Sequence, residues 1–451
     1  MKNRVVFILL ILAAVIPLAA LGQDSSGGKP TAVDIWPGYW YGNDEFTYQT
    51  LPVGGWNTIG AFSLRSLAMG ETFLSATDGT AGYLNPALLS TVKAPRLSLD
   101  YRWSENAYRA YPWPQIIPLV EFASGYGESR TYKGKSEEDL ASIALVLPFD
   151  GWAVSASYFR FQDYRIPRID GLYGTGLEFV EGSGGTRGVN LAVSARVARH
   201  LSLGVSASYL FGDIRRVQVL TPVYIWFDGT VSPSDPGTGI PPIWYWPSIR
   251  ETYHLDLKGA SLSFGAVFEP SERWTLGLTL RPPFAMDIDA RMESLWMDGA
   301  SVPSVSWERS FEKQPFLAVG SVLYRASEAF ELTADVSFWG WSGAASDYPA
   351  SSYYPYSTRS FRDVVKLNVG AEYKVGLPFR SVKDLFLRAG YIHDPQPYRY
   401  DESYSRDLLC AGTALAVGPL EVGVSAKIAI SARELRRFRA NIFQAGAVFR
   451  F

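Results

Sequence analysis

The sequence predicts an all-β fold: a transmembrane antiparallel β-barrel of about 14 strands, with an N-terminal hatch lodged as a plug inside the lumen. Three observations carry this. The chain opens with an export leader, and from about residue 95 it alternates apolar and polar residues in runs of roughly ten. The connections between those runs are alternately short and long. Composition agrees, since 47% of the 451 residues are hydrophobic and 14% aromatic while only 19% are charged. Forty-one Gly and 28 Pro among many Tyr, Phe and Trp favour strands and turns over helices. A net charge of −2 with no long basic block gives nucleic acid no electrostatic hold. One cysteine, Cys410, excludes a disulfide framework and a thiolate zinc site. Three histidines leave little for metal or general-base chemistry, so neither cofactor nor metal is expected.

The elements follow in order. Residues 1–22 read as a signal peptide, with Lys2 and Arg4 before the apolar Val5–Leu18 and a small-residue cleavage site at Ala20-Leu21-Gly22. No later apolar run reaches the ~18 residues of a spanning helix, so a membrane crossing must be made by strands. Residues 23–94 are assigned to an extension and hatch: 23–55 is rich in Gly, Pro and aromatics, and 56–94 is more ordered. The hatch answers a physical need, because wall side chains alone fill a bore of only about eight strands.

Residues 95–451 are the expected barrel. Its strands are expected near 95–103, 139–148, 152–163, 188–198, 201–213, 251–268, 273–287, 313–325, 329–340, 362–376, 384–393, 407–417, 420–430 and 441–451. Leu201, Leu203, Val205, Ala207 and Tyr209 alternating with Ser202, Gly204, Ser206 and Ser208 is a clear case. Short turns fall near Asp150, Arg199, Ser271, Ala326, Leu377 and Gly418. Long loops fall at 104–138, 164–187, 214–250, 288–312, 341–361, 394–406 and 431–440. The last strand ends Phe449-Arg450-Phe451, an aromatic alternation of the kind that barrel assembly machinery reads. The expected setting is the outer membrane of a Gram-negative-type bacterium, as a monomer among outer-membrane lipid and lipopolysaccharide.

Several stretches carry a family resemblance. From Arg65 through Asn85-Pro86-Ala87 to Leu99 the chain resembles the hatch and first strand of the FadL/TodX outer-membrane hydrocarbon transporters, whose hatch signature is Asn-Pro-Ala. Asp335-Val-Ser-Phe-Trp339-Gly-Trp341-Ser342 resembles that family's tryptophan-paired strand end. Leu387-Arg388-Ala389-Gly390-Tyr391 with Asp394 and Pro397 resembles its Leu-Arg-Ala-Gly-Tyr strand and following loop. The resemblance implies fourteen strands and passive uptake of long-chain fatty acids or other hydrophobic small molecules. It also implies a lateral exit where the third strand kinks inward beside the hatch. Trp152 to Asp163 has no internal Gly or Pro, so the sequence offers no cause for that kink.

Two groups of site residues are expected. Aromatic clusters on long loops, Trp226, Phe227, Trp244, Tyr245, Trp246 and Trp296, suit capture of an apolar solute, or equally loop-on-loop packing. Inward-facing Arg281, Lys366, Arg388 and Lys427 are candidate partners for a ligand carboxylate, or for lumen acids. No catalytic constellation occurs: Gly134-Lys135-Ser136 lacks the glycine of a phosphate loop, where Ser129 stands, and neither G-x-S-x-G nor H-E-x-x-H is present. The competing readings are a PorV-type secretion shuttle that binds exported proteins, and a general porin or structural barrel.

Overall fold

The computed structural model describes residues 63–110, 130–133, 137–163, 166–172, 177–220, 223–225, 243–245, 249–297, 302–344, 346–347, 362–379, 381–395, 405–430 and 438–451. The expected signal peptide and the extension 23–55 lie outside these residues. Fourteen antiparallel strands close a barrel. They are β1 (Arg96–Ala110), β2 (Glu137–Phe149), β3 (Trp152–Asp163), β4 (Leu177–Ala198), β5 (Leu201–Leu220) and β6 (Ile249–Phe268). Next come β7 (Trp274–Arg281, resuming at Phe284–Trp296) and β8 (Ser304–Gln314, resuming at Phe316–Arg325). Then follow β9 (Phe330–Gly340), β10 (Val364–Gly376), β11 (Val382–Pro395), β12 (Ser405–Val417), β13 (Leu420–Ala429) and β14 (Phe438–Arg450). Strand β14 closes on β1 in one register from Arg96–Arg450 to Tyr108–Phe438, so the lipid meets no open edge there.

The strands are longer than their alternation predicts. Residues 288–312, expected as a long loop, are mostly the extended hairpin of β7 and β8, and β4 begins at Leu177 instead of 188. The cause is a reversal of phase part-way up the wall. Near the short turns, Leu203, Tyr209, Leu276 and Leu278 face outward and are exposed, while Ser202, Ser206, Ser208, Thr275 and Thr279 are buried inside. Higher up, Asp213, Asp256, Asp289 and Arg309 stand directly opposite one another across β5 to β8. The buried positions there are apolar: Leu210, Ile214, Leu257, Met286 and Ile288. A row of outward charges cannot sit in hydrocarbon, so the strands continue past the lipid belt with their polar and apolar faces exchanged. Stacked aromatic pairs mark the belt's margins, among them Phe149–Trp152 at the short-turn end and Trp103–Phe443 higher up.

Residues 63–92 pack against the inner face of this wall. They form helix α1 (Leu64–Ala68), a 3-10 turn at Phe73–Ser75, helix α2 (Ala81–Leu84) and a second 3-10 turn at Pro86–Thr91. On the side of β9 to β13 the contact is ionic. Glu71, fully buried, accepts from Lys427 Nζ at 2.5 Å and faces Lys366 Nζ at 3.7 Å. Arg65 pairs with Glu331 and, at 2.9 Å, with Glu372. The Phe73 amide donates to Asp335 at 2.6 Å. Backbone lies on backbone here: a Cβ added to Gly390 would stand 2.1 Å from the amide nitrogen of Gly70. Gly70 itself has a φ of 70°, which only glycine adopts without strain. On the side of β3 to β8 the contact is apolar, with Leu74, Tyr83, Leu84, Ala87 and Leu89 in one cluster with Phe159, Phe161, Leu210, Val267 and Leu317.

Replacing Glu71 by Ala leaves Lys366 and Lys427 buried without their shared carboxylate. We expect the variant to lose about 3–5 kcal/mol, read as a lower unfolding temperature of the purified barrel. Ion conductance in planar bilayers should rise as residues 63–92 loosen; wild-type conductance and stability would count against an ionic latch.

Candidate functional site

The Asn85-Pro86-Ala87 turn is seated on a floor of glycines. Asn85 Oδ1 accepts from the Ala87 amide at 3.1 Å and caps the 3-10 turn. Its Nδ2 donates to the carbonyls of Ala266 on β6 and Leu278 on β7, at 3.4 and 3.3 Å. A Cβ on Gly265 would stand 2.2 Å from Asn85 Oδ1, and one on Gly204 would stand 2.4 Å from the Pro86 carbonyl carbon. Gly204 and Gly265 are register partners on β5 and β6, so the motif fits only where two adjacent strands both lack side chains.

The four expected cations separate into three and one. Lys366, Arg388 and Lys427 are each committed to acids: Lys366 to Glu71 and Asp394, Arg388 to Glu372 and Glu421 at 2.6 and 2.7 Å, and Lys427 to Glu71. Lys366 and Lys427 meet residues 63–92 directly at Glu71, and Arg388 shares Glu372 with Arg65 of that segment. Arg281 stands apart. It is 1% exposed, and no carboxylate among the described residues pairs with it. Its Nε donates to Ser263 Oγ at 2.9 Å and its Nη2 to the Tyr83 carbonyl at 3.1 Å, while Nη1 donates to nothing. The guanidinium lies 4.1 Å from the centroid of the Tyr83 ring. Burial pushes the Tyr83 phenol up to about 12, so this neighbour is neutral and supplies no counter-charge. A buried guanidinium in this state is a ready partner for a monoanion.

The third strand leaves the wall although it has no internal Gly or Pro to cause a kink. Its ladder to β2 runs from Phe149–Trp152 to Ser142–Phe159 and stops. Beyond that point Phe159 to Asp163 are all buried, without the alternation of a wall strand. A register shift between Arg160 and Gln162 marks a bulge, and a bulge needs neither Gly nor Pro. The bulged end turns into the lumen: the Phe161 and Phe284 ring centroids are 6.5 Å apart, and Gln162 comes within 3.5 Å of Gln314 on β8. Arg160 spans the resulting seam to Asp139 on β2 at 3.1 Å.

No known family profile and no curated protein sequence matches the chain. Solved structures do. A FadL homologue of Pseudomonas aeruginosa superposes with a TM-score of 0.62 at 14% identity, covering 86% of this chain and 98% of the other. The toluene transporter TodX of P. putida gives 0.61 at 13% identity, over 87% and 99%. The toluene transporter TbuX of Ralstonia pickettii gives 0.57 at 13% identity, over 87% and 98%. The chain has the FadL–TodX barrel fold.

Within this FadL-type barrel the expected aromatic residues are placed unevenly. Trp296 ends β7 at the long-loop end, 39% exposed. Trp244 and Tyr245 belong to a short ribbon in which Ile243–Tyr245 pairs with Val223–Ile225. Trp226, Phe227 and Trp246 lie outside the described residues. The sequence reading missed the apolar lining of Leu210, Ile214, Leu257, Met286 and Ile288, which joins the cluster around Tyr83. Its signal was available: where outward positions become Asp213, Asp256 and Asp289, the intervening residues become aliphatic.

Replacing Asn85 by Ala removes the cap and both wall hydrogen bonds, at a cost of about 1–2 kcal/mol. Amide exchange at residues 85–92 should quicken while the barrel strands keep their protection. Equal protection of residues 85–92 in both proteins would show that the glycine seat alone fixes the turn.

Proposed function

We propose that this protein is an outer-membrane channel for passive uptake of hydrophobic small molecules, long-chain fatty acids among them, and performs no catalysis. The observation that carries this reading is the apolar lining of β5 to β7 leading to Arg281, a buried cation with no carboxylate partner among the described residues. A lumen meant for water presents polar side chains, as the wall near the short turns does here. An amphipath instead needs a dry track with a charge at its end. In this reading Trp226, Phe227, Trp244, Tyr245, Trp246 and Trp296 gather the solute from the lipopolysaccharide side. Leu210, Ile214, Leu257, Met286 and Ile288 pass it inward, and Arg281 receives an anionic head group. Residues 1–22 serve as the export leader, residues 63–92 act as the hatch, and the last strand is the assembly signal.

The exit is sideways. Between residues 63–92 and the short-turn end of the wall a cavity of about 210 Å³ is lined by Arg65, Arg388, Arg450, Glu331, Glu372 and Glu421 beside Leu74, Leu88, Leu323 and Phe386, and the cluster of charges makes it a costly path for an alkyl chain. The seam beside the inturned end of β3 leads to lipid instead. A secretion shuttle or an open porin has no use for an apolar inner track that ends at a guanidinium with no carboxylate beside it among the described residues.

Two outcomes test the reading in a transport-deficient host. Arg281→Met should weaken uptake of a carboxylate ligand by roughly 10–100-fold, the equivalent of charge-assisted bonds of about 1.5–3 kcal/mol, and spare a neutral alkane. Trp244→Ala with Trp246→Ala should slow uptake at low ligand concentration without lowering barrel abundance. If wild-type cells take up neither ligand faster than cells lacking the protein, the channel assignment fails.

A further inference from the structure

A second interruption of the wall lies three strands along from β3. Strands β6 and β7 pair from Ile249–Trp296 down to Gly259–Met286, and pairing resumes only at Phe264–Leu280. Residues 260–263 therefore have no ladder partner on that side, over roughly 13 Å of strand. Their opposites are 281–285, one residue more than the four they face. Two of those five, Pro282 and Pro283, have no N–H to donate. On the far side of β7, Arg281 pairs with Leu317 and Phe284 with Gln314, so the same prolines face Pro315 of β8. Three prolines in the middle of a closed wall are a costly arrangement, since proline is otherwise confined to edges and bulges.

The surroundings of this seam are unlike any other strand junction described. Its outer side carries the half-buried Ala260 and Leu262 and the exposed Pro282 and Pro283, just below the outward row of Lys258 and Asp287. That places it at the upper margin of the lipid-facing band. On the inner side stand Ser261 and Ser263, with Arg281 laid across the gap from β7 to Ser263 of β6. The side chain thus supplies a bond between strands where the backbone ladder is missing, and it ties both strands to the hatch through the Tyr83 carbonyl. The upper lip of the seam is Phe284, in contact with Phe161 at the inturned end of β3.

We propose that the β6–β7 seam is a second lateral portal, through which an anionic amphipath passes between the lumen and the outer leaflet with Arg281 as its gatepost. This rests on the channel reading above and deepens it. A carboxylate that takes Nη1 and draws Nε from Ser263 removes the one side-chain bond across the gap. The alkyl chain then has a path between small residues, Gly259, Ala260, Ser261 and Ala285. The portal at β3 is closed by the Arg160–Asp139 ion pair, whereas this one is closed by a guanidinium that a ligand anion can engage directly.

The test uses the full-length protein in outer membranes of a transport-deficient host, with palmitate bearing a terminal diazirine as the probe. Photolysis should label residues 260–263 and 282–285. The double variant Pro282→Thr with Pro283→Val restores two backbone donors. It should slow amide exchange at 260–263, abolish labelling there and lower palmitate uptake by about tenfold. A second block is applied after folding: Leu262→Cys reacted with a bulky maleimide should lower uptake to the same degree. Undiminished uptake in a double variant whose exchange has slowed, or in fully modified Leu262→Cys, overturns the portal. Wild-type cells that import neither palmitate nor a neutral alkane overturn the channel reading and the portal with it, whereas import of the alkane without palmitate overturns the portal alone, so the two failures are distinguishable.

Discussion

Every backbone N–H and C=O of a wall in lipid must find its partner within the protein, and this structure is organised by where that rule is kept and where it is relaxed. Fourteen strands keep it by closing in register from β14 to β1. Closure at that width creates a lumen that wall side chains cannot fill, so a separate segment packs inside and must itself be satisfied. Asp100 and Asp335 accept the backbone amides of Leu64 and Phe73, and wall carbonyls at Ala266 and Leu278 accept from the side-chain Nδ2 of Asn85. Where the wall ladder fails, beside β3 and between β6 and β7, an arginine side chain spans each gap. Those two places, with the proline-interrupted junction of β7 and β8, are where the hydrogen-bonded ladder of the described wall is relaxed.

The lumen is divided by chemistry. Around β9 to β13 buried ion pairs bind residues 63–92 to the wall, and each removed partner would strand a charge in a dry interior. Around β3 to β8 the same segment touches the wall through aliphatic and aromatic side chains and through the Asn85-Pro86-Ala87 turn on its glycine seat. The contact is thus ionic on one side and apolar on the other. Arg281 lies on the apolar side, and among the described residues no acid pairs with it.

Much of this was legible from residue order. Alternation at Leu201–Phe211 and Trp274–Arg281 announced wall strands, because one face of each meets hydrocarbon and the other does not. The count of fourteen followed, as did the inward phase of all four lumen cations. Strand ends were misjudged at 288–312 because the alternation changed sign there: the outside became charged and the inside apolar, a pattern that resembles a loop when only lipid-facing strands are expected. The kink of β3 was missed because it is produced by a bulge at Arg160–Gln162, a register event with no residue signature of its own.

The sequence alone determined what each strand could face, since period-two polarity is a local property that survives any arrangement of neighbours. It also determined where backbone donors are missing, at Pro282, Pro283 and Pro315. Only the tertiary structure decided that Pro282 and Pro283 lie beside Pro315 of the adjacent strand and that residues 260–263 have no partner on β7. Likewise, Lys366 and Lys427 are indistinguishable from Arg281 in sequence. Glu71 neutralises them because residues 63–92 fold back across about 300 residues of chain, and Arg281 receives no such partner. Charge compensation is a long-range pairing, and only closure of the barrel around that segment fixed which cation was left over.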